Sequence, residues 1–118
     1  MEGVRERLAT KFTSAWNTLD HGDGWLDIVD RLDRAITELV PDYQITQVKE
    51  KFGGLRYYIG SVPADRFDEV HRLISEAEAE SLQTCEKCGS REGVTTSSGG
   101  YWIRTLCPEH RAERDAAS

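Results

Sequence analysis

The chain has 118 residues, 38% hydrophobic and 31% charged, which fits a single soluble domain near the commonest size of about 100–150 residues. Its net charge of −6 opposes nonspecific binding to DNA or RNA. No run approaches the ~18 apolar residues of a membrane span, and the start MEGVRERLATKF lacks the apolar segment of an export signal. The expectation is a cytoplasmic protein of one domain over residues 1–118, with no membrane segment. In a reducing compartment its three cysteines suit metal ligation better than disulfides.

Val4, Leu8, Phe12, Ala15, Trp16 and Leu19 recur at helical spacing and predict an amphipathic helix over 3–20, ended by a left-handed Gly22 or Gly24. Asp23 is placed to cap a second helix, whose apolar face is Trp25, Ile28, Val29, Leu32, Ala35, Ile36 and Leu39 and which Pro41 halts. Asp27, Asp30 and Asp33 fall on its polar side, and Asp27–Arg31 and Asp30–Arg34 have the spacing of ordinary surface pairs. Residues 43–59, YQITQVKEKFGGLRYYI, are rich in β-branched and aromatic side chains around Gly53-Gly54 and predict a β-hairpin. Pro63 suits the start of a third helix with Phe67, Val70, Ile74 and Ala77 on its buried stripe, running to about Ser81. After TCEKCGS comes a second hairpin around Ser98-Gly99-Gly100. A short helix follows from Cys107-Pro108-Glu109-His110, with Ala112 to Ser118 expected to fray. The fold class is α+β.

Cys85 and Cys88 form one C-x2-C pair, Cys107 and His110 a C-x2-H pair, and eighteen residues separate the two. A tetrahedral zinc ion takes four such ligands, with the first pair supplied by a tight turn and the second by the first turn of a helix. All four positions are then filled by protein, so the expected ion is one structural Zn²⁺ per chain and not a catalytic one. Knuckle, hairpin and ligand-bearing helix together resemble the treble-clef class of zinc fingers over residues 84–115.

The other distinctive segment is KEKFGGLRYYI. Lys49, Lys51 and Arg56 face only Glu50 between 43 and 60, whereas residues 65–80 are dominated by Asp65, Asp68, Glu69, Glu76, Glu78 and Glu80. Two readings of the hairpin stand side by side. Lys49, Lys51 and Arg56 can hold an anion while Tyr57 or Tyr58 stacks on a base, or the lysines keep an edge strand soluble while the aromatics pack. His21 and His71 have no catalytic partner at any recognisable spacing, and no nucleophile, base and orienting group assemble by motif, so no enzyme is expected.

Taken together, GWLDIVDRL, QVKEKFGGLRYYI and CxxCG…WIRTLCPEH resemble small uncharacterised zinc-binding proteins of phage and prophage genomes over about residues 24–110. In that setting the resemblance implies binding, either as a counter-defence sponge for a host signalling nucleotide or as an inhibitor of a host protein. The leading expectation is thus a zinc-stabilised binding protein for a small anionic ligand. The alternative is an adaptor that docks a host protein through its acidic surface, and homo-oligomerisation is compatible with either. A DNA-binding finger ranks last, because Glu109 and Glu113 offset Arg104, Arg111 and Arg114.

Overall fold

The computed structural model describes residues 3–14, 16–99 and 102–117. They form a mixed α+β structure with four helices and two small sheets. None of the described helices is long and apolar enough to cross a membrane.

The helix expected over 3–20 is much shorter: α1 spans only Val4–Ala9. Past Thr10 the backbone of Lys11 and Thr13 bonds instead to Ile45, and Phe12 forms an isolated bridge with the same residue. The polar and β-branched residues Thr10, Thr13, Ser14 and Thr18 favour helix weakly, so this sheet-like pairing outcompetes it. Trp16 is almost fully exposed, and Ala15 lies outside the described residues. Leu19–Asp20 then forms the short strand β1.

Helix α2 spans Leu26–Leu39, preceded by a single 3₁₀ turn over Asp23–Trp25. The expected apolar face is the buried one, with Trp25, Ile28, Val29, Leu32 and Ile36 in the core. Asp23 makes no cap. Its carboxylate accepts instead from Arg5 Nη2 at 2.7 Å. Gly22 and Gly24 do not terminate a helix in the left-handed region either.

The predicted hairpin is present as β2 (Ile45–Lys51) and β3 (Gly54–Ile59). Its tight turn carries positive φ at Phe52 and Gly53, so the turn sits one residue earlier than Gly53-Gly54 suggests. Strand order is β1-β2-β3, with β1 parallel and β3 antiparallel to β2. One face, through Ile45, Val48, Leu55 and Tyr57, is buried in the core shared with α2 and with α3, which spans Phe67–Ser81. Helix α3 also covers the β3 edge: Leu55 N–H donates to Ser81 Oγ and Tyr57 N–H to Glu78 Oε2. Backbone donors that would template another strand are thereby used. Phe67, expected on the buried stripe, is half exposed and stacks on His71 with ring centroids 4.1 Å apart.

The C-terminal part contains the antiparallel strands β4 (Thr95–Gly99) and β5 (Trp102–Leu106), then helix α4 (Pro108–Ala117). The turn residues Gly100 and Tyr101 lie outside the described residues. The segment expected to fray is instead helical as far as Ala117. Arg111 Nη1 donates to Thr95 Oγ1 and Arg114 Nη1 to Ser97 O, which fastens α4 to β4. The hairpin tip packs on this unit, since Thr105 Oγ1 donates to Gly53 O at 2.6 Å.

Candidate metal centre

Cys85 begins a tight knuckle in which Gly89 N–H returns to Cys85 O at 2.9 Å and Cys85 N–H donates to Ser90 O at 2.8 Å. Gly89, with φ of 84°, provides the sharp exit anticipated from its position after Cys88. From the other side, Cys107 directly precedes α4 and His110 lies in its first turn.

The four side chains converge, with their ligand atoms all within 4.8 Å of one another. Cys88 Sγ and Cys107 Sγ are 3.8 Å apart, and His110 Nδ1 lies 3.6 Å from Cys85 Sγ and 3.2 Å from Cys107 Sγ. Bonds of about 2.3 Å to sulfur and about 2.0–2.1 Å to nitrogen in a tetrahedron separate two sulfurs by about 3.8 Å and sulfur from nitrogen by about 3.5 Å. The donor set and its spacing are therefore those of a metal site compatible with zinc. His110 presents Nδ1 to the cluster, while its Nε2 faces Glu113 Oε2 at 3.5 Å. A carboxylate behind a ligating imidazole orients the ring.

The electrostatics also favour a cation. Burial disfavours the Cys85 thiolate, but backbone N–H groups of Cys107, Cys88 and Lys87 outweigh it and bring the thiol down to about 6. At Cys88 the Ser90 amide favours the thiolate, yet burial and the sulfurs of Cys85 and Cys107 push the thiol up. Three sulfurs this close ionise together only with positive charge among them, which a divalent ion supplies.

A contact invisible at the level of motif holds the knuckle in place. Gly24 N–H donates to Glu86 O at 2.7 Å, and a Cβ on Gly24 would lie 2.1 Å from Cys85 O. The loop His21-Gly22-Asp23-Gly24 is thus backbone packed against backbone, and Trp25 Nε1 donates to Thr84 O just before the first ligand. Two glycines alternating in HGDG were the available signal, and close approach, not helix termination, is their reason.

The residues expected to bind an anion divide between two faces. In the β2–β3 register Lys49 is opposite Arg56, Gln47 opposite Tyr58 and Lys51 opposite Gly54, all on the side away from the core. Tyr58 is 42% exposed there, and Lys51 lies over the Phe52 ring. Tyr57 is not with them. Its ring is in the core and its hydroxyl is 2.6 Å from that of Tyr43, so it cannot stack on a ligand. Among the described residues no carboxylate makes an ion pair with Lys49, Lys51 or Arg56.

Asp33, expected on a solvated helix face, is instead 1% exposed. Lys11 Nζ donates to it at 2.6 Å, Arg7 Nε at 3.2 Å and the Tyr43 hydroxyl at 2.5 Å. Burial opposes its charge, but the hydrogen bonds from Lys11 and Tyr43 and the charges of Lys11 and Arg7 hold the carboxyl below its ordinary range. Burial likewise pushes the Tyr43 and Tyr57 phenols well up, so both remain neutral donors. Asp27–Arg31 is the expected surface pair, whereas Asp30 does not behave as one: its largely buried carboxylate accepts from Arg7 Nη2 of α1 as well as from Arg34, and Arg31 and Arg91 both reach Glu80.

No protein-family model, curated protein or solved structure matches this chain, so the resemblance to phage and prophage proteins finds no support there.

Proposed function

We propose that this protein is a zinc-stabilised, non-enzymatic binding protein that captures a small anionic ligand, such as a signalling nucleotide, on the outward face of its three-stranded sheet. One structural Zn²⁺, held by Cys85, Cys88, Cys107 and His110 in a treble-clef arrangement, anchors the C-terminal part. With four protein ligands it leaves no open position for substrate.

The observation that carries the ligand reading is the register that sets Lys49 directly across from Arg56. Like charges opposed across two strands are unfavourable, and although the register sets Asp20 beside Lys49, no carboxylate among the described residues comes within ion-pair distance of Lys49 or Arg56. An anion seated between them relieves that repulsion, Lys51 adds a third charge, and exposed Tyr58 on the same face offers a surface for a base. In a chain of net charge −6 this is a local inversion of the overall field. Calorimetric titration with a panel of mono- and cyclic nucleotides tests it. Saturable binding that falls at least about tenfold in Lys49→Glu or Arg56→Glu, and less in Tyr58→Ala, is expected. Absence of saturable binding across the panel would remove this reading.

A second reading, an adaptor that docks a basic protein surface, is favoured by the exposed carboxylates Asp68, Glu69 and Glu76 on α3 beside half-exposed Phe67. It predicts that Glu69→Lys with Glu76→Lys abolishes partner capture while Lys49→Ala leaves capture intact.

A further inference from the structure

Among the described residues, His21 Nε2 and Glu86 Oε1 are the buried side-chain polar atoms left without a hydrogen-bond partner. Both residues line the same cleft, of about 350 Å³, where the end of β1, strand β2, the knuckle and β5 meet. Two orphaned polar groups in one cavity are rarer than either alone, because buried polar atoms in folded proteins are nearly always paired.

The chemistry of the two atoms is legible. The Glu86 side chain is 6% exposed, and its Oε2 accepts the Gly22 N–H at 2.9 Å. Its Oε1 faces Arg104 Nη2 at 3.5 Å, beyond an ordinary hydrogen bond. His21 Nδ1 lies 2.8 Å from Gly22 O, which can only accept, so Nδ1 carries the proton and Nε2 of the neutral ring is an acceptor. Desolvation, the largest influence on His21, lowers its pKa and keeps the ring neutral. Both orphans therefore call for donors. The remaining lining adds two carboxylates: Asp20, beside Lys49 in the β1–β2 register, and Glu50, which accepts from Gly53 N–H and Trp102 Nε1. The exposed indole of Trp102 thus forms a rim, and Arg104 is the one cation of the lining. These oxygens and the imidazole are not gathered as tightly as the ligands of the Cys/His cluster, which suits a ligand with donors spread over several atoms better than a bare ion.

We infer that this cleft binds a small organic cation bearing several N–H donors, of the amine or guanidinium class. Its N–H groups satisfy Glu86 Oε1 and His21 Nε2, the carboxylates of Asp20 and Glu50 hold its charge, and Trp102 covers it. The site adjoins the proposed anion face, since the parallel register of β1 and β2 sets Asp20 beside Lys49, but it is built on Glu86 and His21 and does not depend on the anion reading.

The test is titration of the full chain, purified with its metal, with agmatine and with putrescine, followed by calorimetry and tryptophan fluorescence. One saturable site per chain is expected. Glu86→Gln, which keeps an oxygen for Gly22 but replaces the free acceptor by a donor, weakens binding at least about tenfold. Asp20→Asn, at an exposed position where the fold is not at stake, weakens it about threefold, and Arg104→Met strengthens it. Tyr58→Ala, on β3 and outside the cleft lining, leaves it unchanged while weakening nucleotide binding, so failure here and failure of the anion reading are told apart. No saturable binding of either amine overturns the inference. So does binding that Glu86→Gln and Asp20→Asn leave untouched, or that Mg²⁺ abolishes at matched ionic strength.

Discussion

Asp33 shows how far a single carboxylate can depart from what its neighbours in sequence suggest. It sits one turn from Ile36 and Val29 on α2, but Arg7 and Lys11, from the N-terminal segment, and Tyr43, ahead of β2, converge on it and bury it. Removing a buried charge held by several donors is costly, because here Lys11 loses its carboxylate and Arg7 is left with Asp30 alone. Asp33→Asn should therefore destabilise the fold by about 1–3 kcal/mol in urea unfolding. The pH dependence follows from the direction of its shift. A carboxyl held below its ordinary value of 3.8 contributes stability that is fully present above that value and is lost as pH falls through the lower folded one. Wild-type stability should accordingly drop below about pH 4, and Asp33→Asn should flatten that part of the profile.

At the scale of elements, the important joint is between the loop ahead of α2 and the metal knuckle. Gly24 approaches the carbonyls of Cys85 and Glu86 so closely that any Cβ there overlaps the backbone. Gly24→Ala should cost at least about 1–3 kcal/mol and lower metal affinity, read by competition with a chromophoric chelator. Unchanged affinity would mean that the loop does not position the knuckle. The β2–β3 hairpin is the second joint, because its tip carries Gly53 O against Thr105 while its outward face remains open. Legibility differed sharply between elements. Helix α2 was plain because its buried stripe repeats at 3.6 residues and Pro41 follows it. Helix α1 was overextended because Phe12 and Leu19 keep helical spacing by coincidence, while their actual partners, Ile45 and Val48, lie far along the chain.

For the whole molecule, the metal centre and the helix–sheet core are separate sources of stability. The larger cluster runs from Val4 to Ala77, whereas the apolar residues around the ligands amount to Leu106 with half-buried Val94. So small an apolar cluster contributes little to holding β4, β5 and α4, and a metal ion bound by the Cys/His cluster would supply the difference. Native mass spectrometry should report one zinc per chain. Chelation or Cys85→Ser should remove hydrogen-exchange protection from β4, β5 and α4, with the protection of α2, β2 and α3 retained. Simultaneous loss everywhere would show that the two parts fold as one unit.

The sequence by itself determined which four Cys and His side chains would cluster, the stripe of α2 and the existence of both hairpins, because each rests on local spacing: two residues between paired ligand candidates, 3.6 along a helix, two along a strand. Only the tertiary structure decided what depends on residues distant in the chain. It turned Tyr57 inward to Tyr43, buried Asp33 beneath cations from the N-terminal segment, and set Glu86 against Gly22 and His21 across more than sixty residues. No periodicity encodes those meetings. They arise from packing α2 and α3 on one face of the sheet and the knuckle against a glycine loop, and they leave Lys49, Arg56 and Tyr58 on the face of the sheet away from the core.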